Sequence, residues 1–376
     1  MKLLVPLLLA LICISVVAEP EIQSDGNQNV NNITIDENGD VFVAPLKYHI
    51  SSDSTAEVIW DYSSYKKLES VVISSEIRVD GHVYSVTIIG EEAFSGCSGL
   101  TSIEIPSSVT SIEYGAFKGC SGLTSIKIPL SVRSIGYGAF KECSGLTSIK
   151  IPSGVTSIGD HAFEDCIGLT NIEISSSVIS IGNEAFKGCN GLTSIKIPSG
   201  VTSIGDGTFE DCRGLTNIEI PSSVRSIGNE AFEDCDGLTS IEIPSSVRSI
   251  GNEAFSGCCG LTSIKISSGV TIIGEEVFWG CEGLTSIKIP SSVTSIGAYA
   301  FEDCSGLTSI EIPSSVTSIG NAAFSGCGGL ISINVTTDNA VYSSENGVLY
   351  DKKRRNLFAF LVQKKENLKF RQVSQA

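Results

Sequence analysis

Thirteen cysteines, three histidines and forty-two Asp and Glu residues are the side chains of this 376-residue chain with the widest chemistry. A metal centre needs Cys or His clustered at ligand spacing. Eleven of the cysteines instead stand one per 23 residues, at 97, 120, 143, 166, 189, 212, 235, 258, 281, 304 and 327. Disulfides between neighbouring copies would each require specific geometry, and eleven is an odd number. Free Cys packs as a small buried hydrophobe, so the spacing favours a ladder of buried thiols. Cys259 stands outside the ladder, in a slot that other copies fill with Ser98, Asn190, Arg213, Asp236 or Glu282. It is expected to be exposed, as a reactive thiol or a neutral replacement. His49, His82 and His161 lie far apart, and no GxSxG, HExxH, phosphate-loop or dinucleotide pattern occurs in context. The expectation is no enzyme, no metal and no cofactor.

The same step of 23 organises the rest of the chain. Phe recurs from Phe94 to Phe324 without an insertion, Cys follows three residues later, and Leu three after that, from Leu100 to Leu330. Two alternating Ile come next, such as Ile103 and Ile105, and Pro106 or its equivalent usually closes the segment. A strict period of this length means a solenoid, because one unit cannot bury its apolar side alone. Ile103 and Ile105 would face inward from a strand while Ser102 and Glu104 face out, and stacked copies would form a parallel ladder. "SSVTSI" is expected to return the chain as a second short strand or turn, with the following Gly permitting a tight turn. "EEAFSGC" is expected to be one helical turn that brings Phe and Cys inward.

The pattern Leu-x-x-Ile-x-Ile-Pro-x-x-Val-x-x-Ile-Gly-x-x-Ala-Phe-x-x-Cys resembles the BspA-like (Treponema-type) leucine-rich repeat family over about residues 85 to 335. "KYHISSDSTAEVI" resembles the lead-in of that family, and "NAVYSSENGVLYDKKRRNLFAF" its altered end segment. The resemblance implies an exported or surface protein that binds other proteins, several members being adhesins. The expected fold is an α+β repeat solenoid: a right-handed leucine-rich-repeat arc with a parallel β-ladder on the concave face and short helical turns on the other edge. The expected divisions are 1–18 signal peptide, 19–40 flexible segment, 41–89 β-rich cap and lead-in, 90–335 eleven repeats, and 336–376 C-terminal cap and basic tail.

Whatever varies between copies is where binding would reside. The outward slot between the two Ile reads Glu104, Lys127, Lys150, Glu173, Lys196, Glu219, Glu242, Lys265, Lys288 and Glu311. It is either a solubilising mixed-charge stripe or a binding face. An acidic edge flanks Phe, including Asp160, Glu164, Asp165, Glu210, Asp211, Glu230, Glu233 and Asp234. It would serve solubility or dock a basic partner or divalent cations, although no calcium-loop motif accompanies it. Trp279 would anchor a partner or cover the core. Ser and Thr rows such as Thr101, Thr124 and Thr147 could face ice or a crystal, but the charged row makes a flat uncharged lattice a poor fit. Asn32 and Asn334 head sequons that are glycosylation acceptors in a eukaryotic secretory pathway.

The net charge of -17 opposes nucleic acid and anionic membranes. "MKLLVPLLLALICISVVAEP" has the pattern of a signal peptide, and Ile12 before Cys13 is not the small residue of a lipid-anchor site. No later segment is long and apolar enough to span a bilayer. Residues 351–376 hold eight Lys and Arg against two acids, net +6, which leaves 17 basic and 40 acidic residues, net -23, elsewhere. "DKKRRNLFAFLVQKK" is expected to cover the last coil or to lie on a membrane surface. The whole points to a secreted or cell-surface protein whose partner is a protein or surface glycan, or to a passive spacer without a ligand.

Overall fold

Each coil buries one side of itself only against its neighbours, and the chain accordingly stacks. The computed structural model describes residues 33–51, 53–61, 65–352 and 357–359. Two ladders of parallel strands run through the repeats. The first contains the Ile-x-Ile segments, from Ser102–Glu104 to Ser332–Val335. Its register is one whole repeat, as in Ser125↔Ser148, Ile126↔Ile149 and Lys127↔Lys150. The second contains two-residue strands, from Ser111–Ile112 to Ser318–Ile319, with Ser134↔Ser157 and Ile135↔Ile158. The "SSVTSI" segment is therefore a true second strand.

The third side is a correction. No helix occurs in the repeats, residues 90–335, so the α+β class and the helical turn in "EEAFSGC" do not hold, and the solenoid is all-β with turns. The cause is local backbone conformation. Two residues in every copy, two before and two after Phe, adopt positive φ: Glu92 (52°) and Gly96 (71°), Gly138 (56°) and Glu142 (60°), Glu230 (55°) and Asp234 (53°). Left-handed residues cannot continue a right-handed helix. The amides alternate instead. Ala93, Ser95 and Cys97 donate three residues back, whereas Glu92, Phe94 and Gly96 donate to Tyr114, Ala116 and Lys118 of the next coil. The turns thus form a third hydrogen-bonded ladder.

Inside, Tyr65 and the eleven Phe stack in one column with ring centroids 5.2–5.8 Å apart. The rings from Phe94 to Phe301 are at most 1% exposed. The thiols run beside them. From Cys120 to Cys304, each Sγ donates to the carbonyl of Phe 26 residues earlier at 3.1–3.2 Å, and Cys327 does so at 3.0 Å. The Gly that usually follows the second-ladder Ile, replaced by Glu113 in the first full copy, is also reread. Gly159 has no positive φ, but a Cβ there would meet the Gly136 backbone at 2.7 Å. It is required for close approach between coils rather than for a tight turn.

Both ends are closed. Strands β1 (Ile33–Ile35), β2 (Val41–Val43) and β3 (Leu46–Ile50) form an antiparallel meander, and β3 continues antiparallel to β4 (Thr55–Ile59). Next come β5 (Ser70–Val72), β6 (Glu76–Val79) and β7 (His82–Ile89). Strand β5 starts the first ladder by pairing with Ser102–Glu104, β7 starts the second by pairing with Ser111–Ile112, and Tyr65 heads the ring column. At the other end Asn339 is fully buried. Its Nδ2 donates to the carbonyls of Pro313 and Val316, and its Oδ1 accepts from the amides of Val341 and Tyr342. The Tyr342 hydroxyl and the Gly347 carbonyl accept the edge amides of Ile319 and Ile333. Of "DKKRRNLFAFLVQKK", Leu357–Ala359 pairs antiparallel with Val348–Asp351 and the Lys352 amide donates to the Val341 carbonyl; most of the segment lies outside the described residues, as do the signal segment and Asn32.

The turn conformation makes a discriminating prediction. Glu142 has positive φ, so Glu142→Ala should be less stable in urea unfolding than Glu142→Gly, by about 1 kcal/mol. A helical turn would reverse that order by a similar amount.

Candidate binding surfaces

Two polar rows of the solenoid are engaged by its own backbone. Thr147 and Thr170 donate their hydroxyls to the Thr carbonyl of the preceding coil, both at 3.1 Å, and Thr308 does so at 3.3 Å. The slot after Gly forms an Asx ladder. Asp160, Asn183, Asp206, Asn229 and Asn252 each accept, through Oδ1, the amide of the same slot one coil on, at 2.7–3.1 Å. Asp160 is thus a structural acceptor. The recurring Asp and Asn of that slot were the available signal, and their role depends on a neighbour 23 residues away.

The Glu/Lys row is different. All ten side chains from Glu104 to Glu311 are exposed on the strand face. Lys150 pairs with Glu173 at 2.8 Å and Lys265 with Glu242 at 2.5 Å. Glu104, Lys127, Lys196, Glu219, Lys288 and Glu311 make no ion pair among the described residues. Two shallow hollows open on this face. One, of about 750 Å³, is lined by Glu219, Glu242 and Lys265. The other, of about 730 Å³, is lined by Lys127, Lys150, Glu173 and the exposed Leu130.

The acidic edge divides into two parts. Towards the N-terminus it is neutralised. Glu164, 8% exposed, receives Lys141 Nζ at 2.6 Å and His161 Nδ1 at 2.7 Å. Burial pushes its carboxyl up, but those two hydrogen bonds outweigh it and hold the group below the usual carboxylate range. Lys187 pairs with Glu210 at 2.8 Å and reaches Glu184 at 3.6 Å. Further on cations thin out, and among the described residues Arg213 is the one that pairs on this edge. Burial, then the charges of Glu210, Glu253 and Glu230, push Glu233 up to about 7. Asp165 and Asp234 are also raised, first by burial. Arg213 pairs with Asp211 at 2.9 Å.

Two groups approach metal-ligand spacing, His161 with Glu164 and Glu184, and Glu210 with Glu230 and Glu233, each within 4.8 Å. Lysines already occupy the cation positions, Lys141 at Glu164 and Lys187 at Glu210. The ladder thiols are buried and unpaired, Cys258 included, while Cys259 is exposed. Burial raises the thiols, Cys97 to about 11 and Cys166 and Cys212 to about 12. Trp279 is 40% exposed, on the turn edge. Asn334 is exposed on the last strand of the first ladder.

Parallel ladders of 23-residue coils with an inward Leu, two Ile, Phe and Cys define a leucine-rich-repeat solenoid. The sequence matches the family described as BspA type leucine rich repeat region, in six copies, over residues 61–191, 156–285 and 271–353. The chain belongs to that family. It is similar to a leucine-rich repeat protein from Bacteroides ovatus, with 28% identity and a TM-score of 0.55 over 78% of this chain and 93% of that one. A leucine rich cell surface protein from Faecalibacterium prausnitzii shows 31% identity and a TM-score of 0.50 over 79% and 94%. The pneumococcal vaccine antigen PcpA shares the fold at 19% identity, with a TM-score of 0.54 over 84% and 90%. No curated protein matches the chain. No helix among the described residues is long and apolar enough to cross a membrane.

Two measurements check the chemistry of these rows. Brief alkylation of the native protein, mapped by mass spectrometry, should modify Cys259 and spare the ladder from Cys97 to Cys327, with the ladder labelling only in denaturant. Glu233 binds its proton more tightly folded than unfolded, so its contribution is fully present at acid pH and is lost as pH rises from about 4.5 to about 7. Glu233→Gln should therefore raise the urea midpoint at pH 8 and leave it nearly unchanged near pH 4.5.

Proposed function

We propose that the chain is an exported protein that binds a protein or surface-glycan ligand non-covalently through its strand face, in an adhesion or recognition role. The observation that carries this reading is the Glu/Lys row. Where the Thr and Asx rows are occupied by inter-coil hydrogen bonds, six charged side chains of this row make no ion pair among the described residues, and both hollows open onto it. Its order, with Lys127 beside Lys150 and Glu219 beside Glu242, places charges of one sign together and gives the face a readable pattern. Charge arranged in this way governs encounter and partner choice more than raw affinity. Export rests on the N-terminal signal pattern, and a surface location is in keeping with the cell-surface relative from Faecalibacterium. Membership of a repeat family of binding proteins gives no support to catalysis.

A passive spacer is the second reading, favoured by the near identity of the copies. Titration of the full chain against immobilised extracellular-matrix proteins and a glycan array separates the two. A ligand should bind saturably and more weakly as salt rises. Lys127→Glu with Lys150→Glu should weaken it by roughly tenfold, since each rim charge contributes up to about 1 kcal/mol. Absence of saturable binding to every probe overturns the recognition role and leaves the spacer.

A further inference from the structure

The slot that follows Phe holds Ser, Lys or Glu in ten coils, and Trp279 in one. One residue further along each turn, Gly257 and Gly280 lie one above the other. A Cβ on Gly280 would meet nothing nearer than Gly257 backbone atoms at 3.8 and 3.9 Å. These glycines interrupt a row that holds Asp234 before them and Asp303 after. The gap is a groove of about 370 Å³, lined by Trp279, Asp234, Asp236, Glu282, Asp303 and Arg213. Four carboxylates face one guanidinium, a balance of -3, and that guanidinium pairs with Asp211 at 2.9 Å and reaches only Asp234 of the four, at 3.8 Å. Burial, then the neighbouring Asp211 charge, disfavour the ionised Asp234 and outweigh the opposing Arg213, so a further cation would relieve it.

We propose that this groove binds an arginine side chain of a basic protein partner, with the guanidinium lying against Trp279 and the surrounding carboxylates as its acceptors. Trp has the strongest cation-binding face of the aromatic side chains. Arginine is planar, weakly hydrated and carries donors that match carboxylates, whereas the lysine ammonium is compact and strongly hydrated. The groove is near the small end of ligand pockets, about 300–1,000 Å³, and so suits an inserted side chain. An exposed Trp in a pocket is also the residue type that most often dominates an interface. This surface is on the turn edge and is independent of the strand-face reading.

Fluorescence anisotropy on the full chain tests it, with a labelled peptide of alternating Gly and Arg and its Lys and citrulline counterparts, at about 150 mM salt. The Arg peptide should bind roughly fivefold tighter than the Lys peptide, and the citrulline peptide should not bind. Trp279→Ser uses the residue found in the same slot at Ser256, which keeps the fold within reach, and unchanged circular dichroism verifies it. It should weaken the Arg peptide by roughly five- to tenfold. Asp234→Asn with Glu282→Gln should weaken it likewise, while Lys127→Glu with Lys150→Glu should not. Equal affinity of the parent and Trp279→Ser would show diffuse attraction to an acidic chain and overturn the proposal, as would equal affinity for the Arg and Lys peptides. Binding that emerges only after Lys364, Lys365, Lys369 and Arg371 are changed to Gln would show that the chain's own tail fills the groove, and would overturn the partner reading.

Discussion

One spacing governs this molecule: the distance of about 4.8 Å at which one strand hydrogen-bonds to the next. Once two strand ladders and a ladder of turns share that step, every side chain has its own copy one step above and below. A Phe column satisfies it because flat rings can lie nearly parallel with a small offset. Gly is demanded where backbone meets backbone, as at Gly159 over Gly136. Cys suits its slot because it is small and apolar and still donates a weak hydrogen bond to a carbonyl that has a spare lone pair. The repeated sequence is largely a list of residues that tolerate their own image at that distance.

The inward residues, the strand face and its outward charges were legible in the sequence, because strand alternation acts within a few residues of itself. The turn was misread because Phe94 and Cys97 are three apart, a spacing shared by a helix and by these turns. The better signal was the slot two after Phe, where Gly96, Gly119, Glu142, Asp165, Gly188 and Asp211 mix glycine with carboxylates. The Asx ladder and the Cys-to-Phe bonds were not legible, since both partners belong to different coils. Trp279 was visible as a departure from its row, but its groove depends on glycines in two coils at once.

Regularity and recognition are separated here. The Thr and Asx rows are engaged by inter-coil hydrogen bonds and contribute rigidity. Most side chains of the Glu/Lys row are left alone by their neighbours among the described residues. Departures from the repeat are therefore where surface chemistry concentrates: the order of Glu and Lys on the strands, the thinning of cations after Lys187, and Trp279.

The Asn339 plug has a consequence for the history of the chain. It bonds to Pro313, Val316 and residues of its own cap, and among the coils β5 and β7 pair with the first one. Neither end senses how many coils lie between. Recombination between two copies in the gene would add or remove whole coils in frame and in register, and both ends would still fit. The length of such a solenoid could therefore change in steps of one coil without redesigning any contact.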